Sequence, residues 1–178
     1  QDGRMPQSQL IKKVEVGLGE GWQLDTVYAY PDDASLTIKA WRTRQTGPAL
    51  WILSGVHGEE SAGPNAIASN IAVIAELAET GIPIVLIPIS NPKAYRNNWR
   101  YPNTPERDWK SGGGYSVGDS EYLLPDLVSG TKPRSRQIVG PETLALTNYV
   151  LKQVRSYPPK LVLDLHEDEL SVDGGYIY

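Results

Sequence analysis

The spacing of hydrophobic residues changes along the chain, and each change marks an element. Apolar and polar positions mix in two β-rich stretches, WQLDTVYAY (22–30) and LTIKAWRT (36–43). PDDAS lies between them, and its Pro and Asp residues signal a turn, so the pair predicts a β-hairpin. ALWILSG (49–55) is an unbroken apolar run closed by glycine, as in a strand buried on both faces, and IPIVLIPIS (82–90) is a second. Between these runs Ile67, Ile71, Ile74 and Leu77 recur at helical spacing, which predicts one helix from Ser61 to Glu79. Pro64 falls in its first turn, where proline is tolerated, and Gly81 and Pro83 end it. PETLALTNYVLKQV (141–154) predicts another helix, and KLVLDLHEDE (160–169) a last clear strand. IKKVEVGL (11–18) is ambiguous and fits a short amphipathic helix, while GGYIY (174–178) fits the start of one more strand. Residues 91–140 are rich in Pro, Gly, Asn, Ser and Arg and carry little periodicity. A structureless stretch of that length in a compact domain is usually functional or disordered.

Buried strands joined by helices argue for an α/β architecture, and the early hairpin makes the sheet mixed. The expected fold is a mixed, mostly parallel sheet flanked by helices. At 178 residues the chain suits a single domain, 1–178, with a real core. Neither an internal repeat nor a low-complexity tract is present.

Composition narrows the function by exclusion. A net charge of −4 gives no hint of nucleic-acid binding. No segment approaches the ~20 consecutive apolar residues of a membrane span. The absence of cysteine removes disulfides and thiolate chemistry and leaves the compartment open. The opening QDGRMPQSQL lacks the apolar core of an intact signal peptide; a removed leader, or residues added ahead of Met5, would each account for a start other than Met.

The chain has only two histidines, His57 and His166, and both fall at the C-terminal ends of predicted strands. In open α/β sheets, sites gather at that edge. Glu60 lies three residues beyond His57, across a strand-to-helix turn, so the two side chains can converge. His166 can join them from a second strand. Two histidines and one carboxylate with an open fourth position form a catalytic zinc arrangement, in which the pKa of bound water falls toward ~7. Either histidine alone reads as an ordinary strand-end residue; the two together with Glu60 favour a metal site.

HGEE (57–60), NPKAYRNNWR (91–100) and LDLHEDE (163–169), in that order, resemble the zinc carboxypeptidase family, whose fold also serves the aspartoacylase and succinylglutamate desuccinylase deacylases. The resemblance runs from about Ala49 to Glu169. It implies that His57, Glu60 and His166 are ligands of a Zn2+ ion. It implies that Arg100 polarises the scissile carbonyl and stabilises the oxyanion, with Arg96 a weaker candidate, and that Arg107 grips the substrate carboxylate. A planar guanidinium suits that role because it pairs bidentately and stays charged. Glu59 is expected to face away from the metal, either supporting the ligands from outside or solvated. Asp164 shares a strand face with His166 and can orient its ring through the second nitrogen.

Two departures qualify the resemblance. Glu106 stands where the family has an Asn before the second arginine, and a carboxylate there would repel a substrate carboxylate unless Arg107 neutralises it. The family's general-base glutamate lies on a strand well downstream of the last ligand, and Glu167 and Glu169 do not match that motif. The expectation is a C-terminally incomplete domain, paired with a complementing C-terminal segment or a second copy of itself.

Three readings follow. The first is a zinc-dependent hydrolase that cleaves a C-terminal peptide bond. The second is a deacylase of a small N-acyl amino acid. The third is a catalytically incomplete metal-binding fragment. Aromatic residues Tyr95, Trp99, Tyr101, Trp109 and Tyr115 favour the first, as lining for a larger site, although packing of the loop onto the body explains them as well. The stretch 111–130 is a candidate lid or groove wall.

Overall fold

A computed structural model describes residues 2–100 and 140–167. Helix α1 (Gln7–Leu18) buries Leu10, Val14 and Leu18, a stripe spaced four residues apart, and begins a turn earlier than IKKVEVGL suggests. A short 3₁₀ turn leads to β1 (Trp22–Ala29), which pairs antiparallel with β2 (Thr37–Thr43) as the expected hairpin. β3 (Ala49–Ser54) follows, then α2 (Ala62–Ser69), α3 (Ile71–Glu79), β4 (Ile84–Ile87) and α4 (Pro92–Asn97). Helix α5 (Pro141–Gln153) and strand β5 (Pro159–Leu165) complete the described chain.

Among the described residues the sheet has five strands, in the order β1-β2-β4-β3-β5. β2 is antiparallel to β4, whereas β3 is parallel to both β4 and β5. The C-terminal ends of β3, β4 and β5 therefore open on one edge, where the candidate residues fall. Side chains alternate across the sheet with the strand period of two. On one side Trp41, Ile52, Ile84 and Leu86 meet Leu10, Val14, Ile67, Ile71 and Ile74 from α1, α2 and α3. On the other, Ile38, Trp51, Val85 and Ile87 meet Leu146 from α5 and Tyr157. β4 is buried at every residue, as its unbroken apolar run requires.

Three expectations need correction. The single helix over 61–79 is two helices, broken at Asn70 (φ −109°, ψ 18°). There Asn70 donates its side-chain amide to the Ala66 carbonyl, so a local bond competes with the helical ladder. The run 82–90 contributes only four strand residues, because its last part turns toward α4. Residues 92–97 are helical, although 91–140 shows little periodicity. Asn91 caps this helix by accepting from Ala94 N, and Pro92 occupies its first turn.

β5 differs from the other strands. It pairs with β3 through Leu161, Val162 and Leu163 opposite Leu50, Trp51 and Ile52. Those three β5 residues are 56%, 51% and 40% exposed. Neighbouring residues point to opposite faces, so apolar surface is open on both sides of this edge.

Candidate metal centre

The site begins where β3 leaves the sheet. Ser90 N donates to Ser54 O and Asn91 N to Gly55 O, both at 2.9 Å, so β3 and the segment after β4 stay in step beyond the strands. Gly55 adopts φ 64°, a left-handed conformation open to glycine. Asn91, fully buried, also donates to the Val56 carbonyl at 3.3 Å. At Gly58 a Cβ would stand 2.1 Å from the Ala94 carbonyl carbon and 2.4 Å from Tyr95 N, so the turn lies flat on α4 only because that residue is glycine. The turn presents His57 and Glu60, both buried, and His166 follows directly on β5.

Glu60 is the centre of the group. His57 Nδ1 lies 2.7 Å from its Oε1, and His166 Nδ1 lies 2.7 Å from its Oε2. The two imidazole centroids are 5.1 Å apart. One donor atom from each of the three residues falls within 4.8 Å of the other two, a set that could hold a metal ion. Both histidines turn the same nitrogen inward. Asp164 Oδ2 stands 3.3 Å from the other nitrogen of His166, where a carboxylate orients a ligand imidazole. Burial favours the neutral Glu60 acid, but contacts from His166 and His57 outweigh it and hold the carboxyl down at about 2. Asp164, then Glu60, push the His166 imidazole up to about 10.

Arg100 reaches the same point. Its Nη1 lies 3.0 Å from Glu59 Oε1 and 3.3 Å from Glu60 Oε1. Glu59 therefore does not simply face away from the centre. It holds the guanidinium beside the Glu60 carboxylate, and its own Oε2 is buried without a hydrogen-bond partner among the described residues. The donors are two imidazoles and a carboxylate, a set suited to zinc, and their residues fit such an ion.

No known protein-family profile matches the chain, and no curated protein does either. Solved structures do. A candidate metallopeptidase from Shewanella baltica OS155 superposes with a TM-score of 0.65 at 20% identity, covering 92% of this chain and 55% of that one. A second, from Shewanella amazonensis SB2B, gives 0.64 at 18% identity over 90% of this chain and 54% of that one. Carboxypeptidase A from Helicoverpa armigera gives 0.61 at 13% identity over 94% and 46%. The fold is the metallocarboxypeptidase fold. The chain spans about half the length of these structures.

Within that fold the remaining sequence candidates separate. Arg96 is not in the cluster; it pairs at the surface with Asp33 at 2.6 Å. Tyr95 does not line a site but packs in the core, its hydroxyl donating to the Met5 carbonyl. Trp99 is half-buried. Glu167 does structural work: its carboxylate accepts from Ala62 N at the start of α2, where negative charge is favoured. Its backbone N–H donates to Glu60 Oε2 at 3.3 Å. Arg107, Glu106, Glu169, Tyr101, Trp109, Tyr115 and the stretches 111–130 and 174–178 lie outside the described residues. Arg4 carries no sequence signal at all, yet it touches the His57–Glu60 turn.

Proposed function

We propose that this chain forms the metal-binding half of a zinc-dependent hydrolase that cleaves a C-terminal peptide bond. The observation that carries the reading is the convergence of His57, Glu60 and His166 with Arg100 Nη1 at 3.3 Å from Glu60. His57, Glu60 and His166 would hold the ion. Bound there, zinc supplies an activated water at neutral pH and polarises the scissile carbonyl. Arg100 places positive charge where the substrate oxygen becomes negative, an interaction stronger in the transition state than in the ground state. Asp164 fixes the His166 ring through its outer nitrogen. Glu59 holds Arg100 in reach of that oxygen. Arg107 is proposed to bind the substrate carboxylate in ground and transition states alike. The general base is assigned to none of the described residues.

The second reading, deacylation of a small N-acyl amino acid, uses the same groups. A panel of C-terminally free peptides and N-acyl amino acids separates the two, assayed with the complete protein with zinc and after chelation. Peptide hydrolysis lost on chelation and restored by zinc is the expected result. Turnover confined to N-acyl amino acids would transfer the proposal to the second reading. Arg107→Ala should mainly raise KM, as loss of uniform binding does.

For β5, the edge strand among the described residues, which carries exposed apolar side chains on both faces, we propose coverage by a complementing C-terminal segment or by a second copy. The 178-residue chain alone should then self-associate in sizing experiments. A cooperatively unfolding monomer would count against it.

A further inference from the structure

The segment before α1 is built into the metal centre. The Arg4 guanidinium is nearly enclosed, its side chain 14% exposed. Its Nη1 donates to the Gly58 carbonyl at 2.9 Å and to the Tyr95 carbonyl. Its Nη2 donates to Asn98 Oδ1 at 2.8 Å and reaches the Glu59 carbonyl at 3.4 Å. Asp2 holds the guanidinium from the other side, at 3.0 Å from Nε and 2.7 Å from Nη2, and the plane lies 4.7 Å over the Tyr95 ring. Gly58 and Glu59 are the two residues between ligands His57 and Glu60. Tyr95 and Asn98 belong to the end of α4, from which the chain runs to Arg100.

One side chain therefore bridges the turn that spaces two ligands and the segment that delivers Arg100. The bridge answers a backbone need, because carbonyls in a tight buried turn must find donors. The carbonyl end of a helix also attracts a cation. Gly58 N donates to the Arg100 carbonyl at 3.2 Å, so the same turn is fastened to Arg100 from the other side as well. Neighbouring residues keep Arg4 in register. Met5 N donates to Asn65 Oδ1, Asn65 Nδ2 donates to the Gly3 carbonyl, Ser61 Oγ donates to the Asp2 carbonyl, and Tyr95 donates to the Met5 carbonyl. A guanidinium suits the post, since its fan of donors reaches several acceptors that one ammonium cannot.

We propose that Arg4 is a positioning residue: it sets the His57–Glu60 turn and the approach of Arg100, and so tunes metal affinity without touching the metal. This rests on the metal-site reading above. The test uses the full chain with zinc alone, titrated against a chromophoric chelator, and cobalt in place of zinc as a spectroscopic probe of ligand geometry. Arg4→Ala should weaken zinc binding by roughly 10–100-fold, the range for partners that orient ligands, and should shift the visible cobalt bands. Arg4→Lys should fall between parent and alanine, and millimolar methylguanidinium should restore part of the alanine loss. Thermal unfolding in chelator reports the structural contribution separately. Zinc affinity within twofold of the parent in both variants, with an unchanged cobalt spectrum, overturns the proposal even if stability falls. If Arg4→Ala does not fold, Arg4→Lys decides by the same two readouts. A parent chain that binds no zinc defeats the metal-site reading itself, a different outcome.

Discussion

Arg42 and Arg100 are both partly buried arginines that meet carboxylates, and they show two ways of using charge. Arg42 lies across β1 and β2, its Nε 2.7 Å and Nη2 3.4 Å from the two oxygens of Asp25. Tyr149 donates to the same carboxylate at 2.9 Å, and Tyr157 donates to the Thr43 carbonyl at 2.6 Å. One cation meets one anion, and the hydroxyls are used. The Asp25 bond pushes the Arg42 pKa further up, while burial and then Asp25 push the Tyr149 hydroxyl up. At Arg100 the balance is different. Arg100 Nη1 is shared between Glu59 and Glu60, and Asp164 meets the outer nitrogen of His166 beside them. Here two carboxylates share one guanidinium nitrogen, and two imidazoles turn their Nδ1 atoms to the same Glu60 carboxylate. A group arranged for stability closes on itself, as around Asp25. A group arranged to hold a cation keeps an excess of acceptors converging on one point.

The sharpest way to break that contrast is at the ligands. His166→Ala should lower zinc affinity by far more than the ~10–100-fold loss that follows from disturbing an outer partner. Chelator competition measures it. Unaltered stoichiometric binding would mean that the acceptors converge for some other reason. Next, Arg100→Ala in the complete protein should cost about 10²–10³-fold in kcat with little change in KM. A kcat within a few-fold of the parent would make Arg100 a second Arg42.

Arg42→Met should show the converse pattern. It strips a partly buried carboxylate of its partner, and about 1–3 kcal/mol of stability should go, read as a lower urea midpoint, with zinc affinity untouched. Smallest of all is the Asp33–Arg96 surface pair. Hydrogen bonds from Ser35, then Arg96, hold the Asp33 carboxyl down at about 2. A depressed carboxyl adds stability that is complete above its unfolded pKa near ~4 and is lost as pH falls toward 2. In an exposed pair the effect is slight. Asp33→Asn should therefore lower the urea midpoint slightly at pH 6 and by less at pH 2. An equal loss at both values would place the effect in the turn rather than in the charge.

What the sequence revealed follows the range of each interaction. The buried strands were legible because burial on both faces writes an unbroken apolar run, and the hairpin because PDDAS announces its turn. His57, Glu60 and His166 were legible because strand ends collect on one edge. α4 was hidden because six residues are too few to display a helical period, although Asn91–Pro92 carries the start signal. The break at Asn70 was hidden because a side chain bonding four residues back competes with the helix without disturbing the apolar spacing. The pairing of Glu59 with Arg100 was hidden because a tight turn obeys neither the helical nor the strand period. Arg4 was invisible because its partners at the site, unlike neighbouring Asp2, lie 54 to 94 residues away, and no spacing rule reaches that far.

β3 pairs on one side with β4 and on the other with β5, and these neighbours reach it at different times. β4 follows after one helical excursion, so His57 and Glu60 can be set in place early, together with α1 and the Arg4 contacts. His166 meets Glu60 only across a sequence separation of 106 residues. The entropy of closing a loop rises with its length, and β5 leaves its apolar side chains only partly covered when it joins, so less repays its docking. The centre should thus assemble in two stages, a preformed half-site first and the distant histidine last. Where a cation binds the completed site and not the open one, it drives the second stage by mass action. Zinc should therefore slow the release of β5 more than it speeds the collapse of the rest.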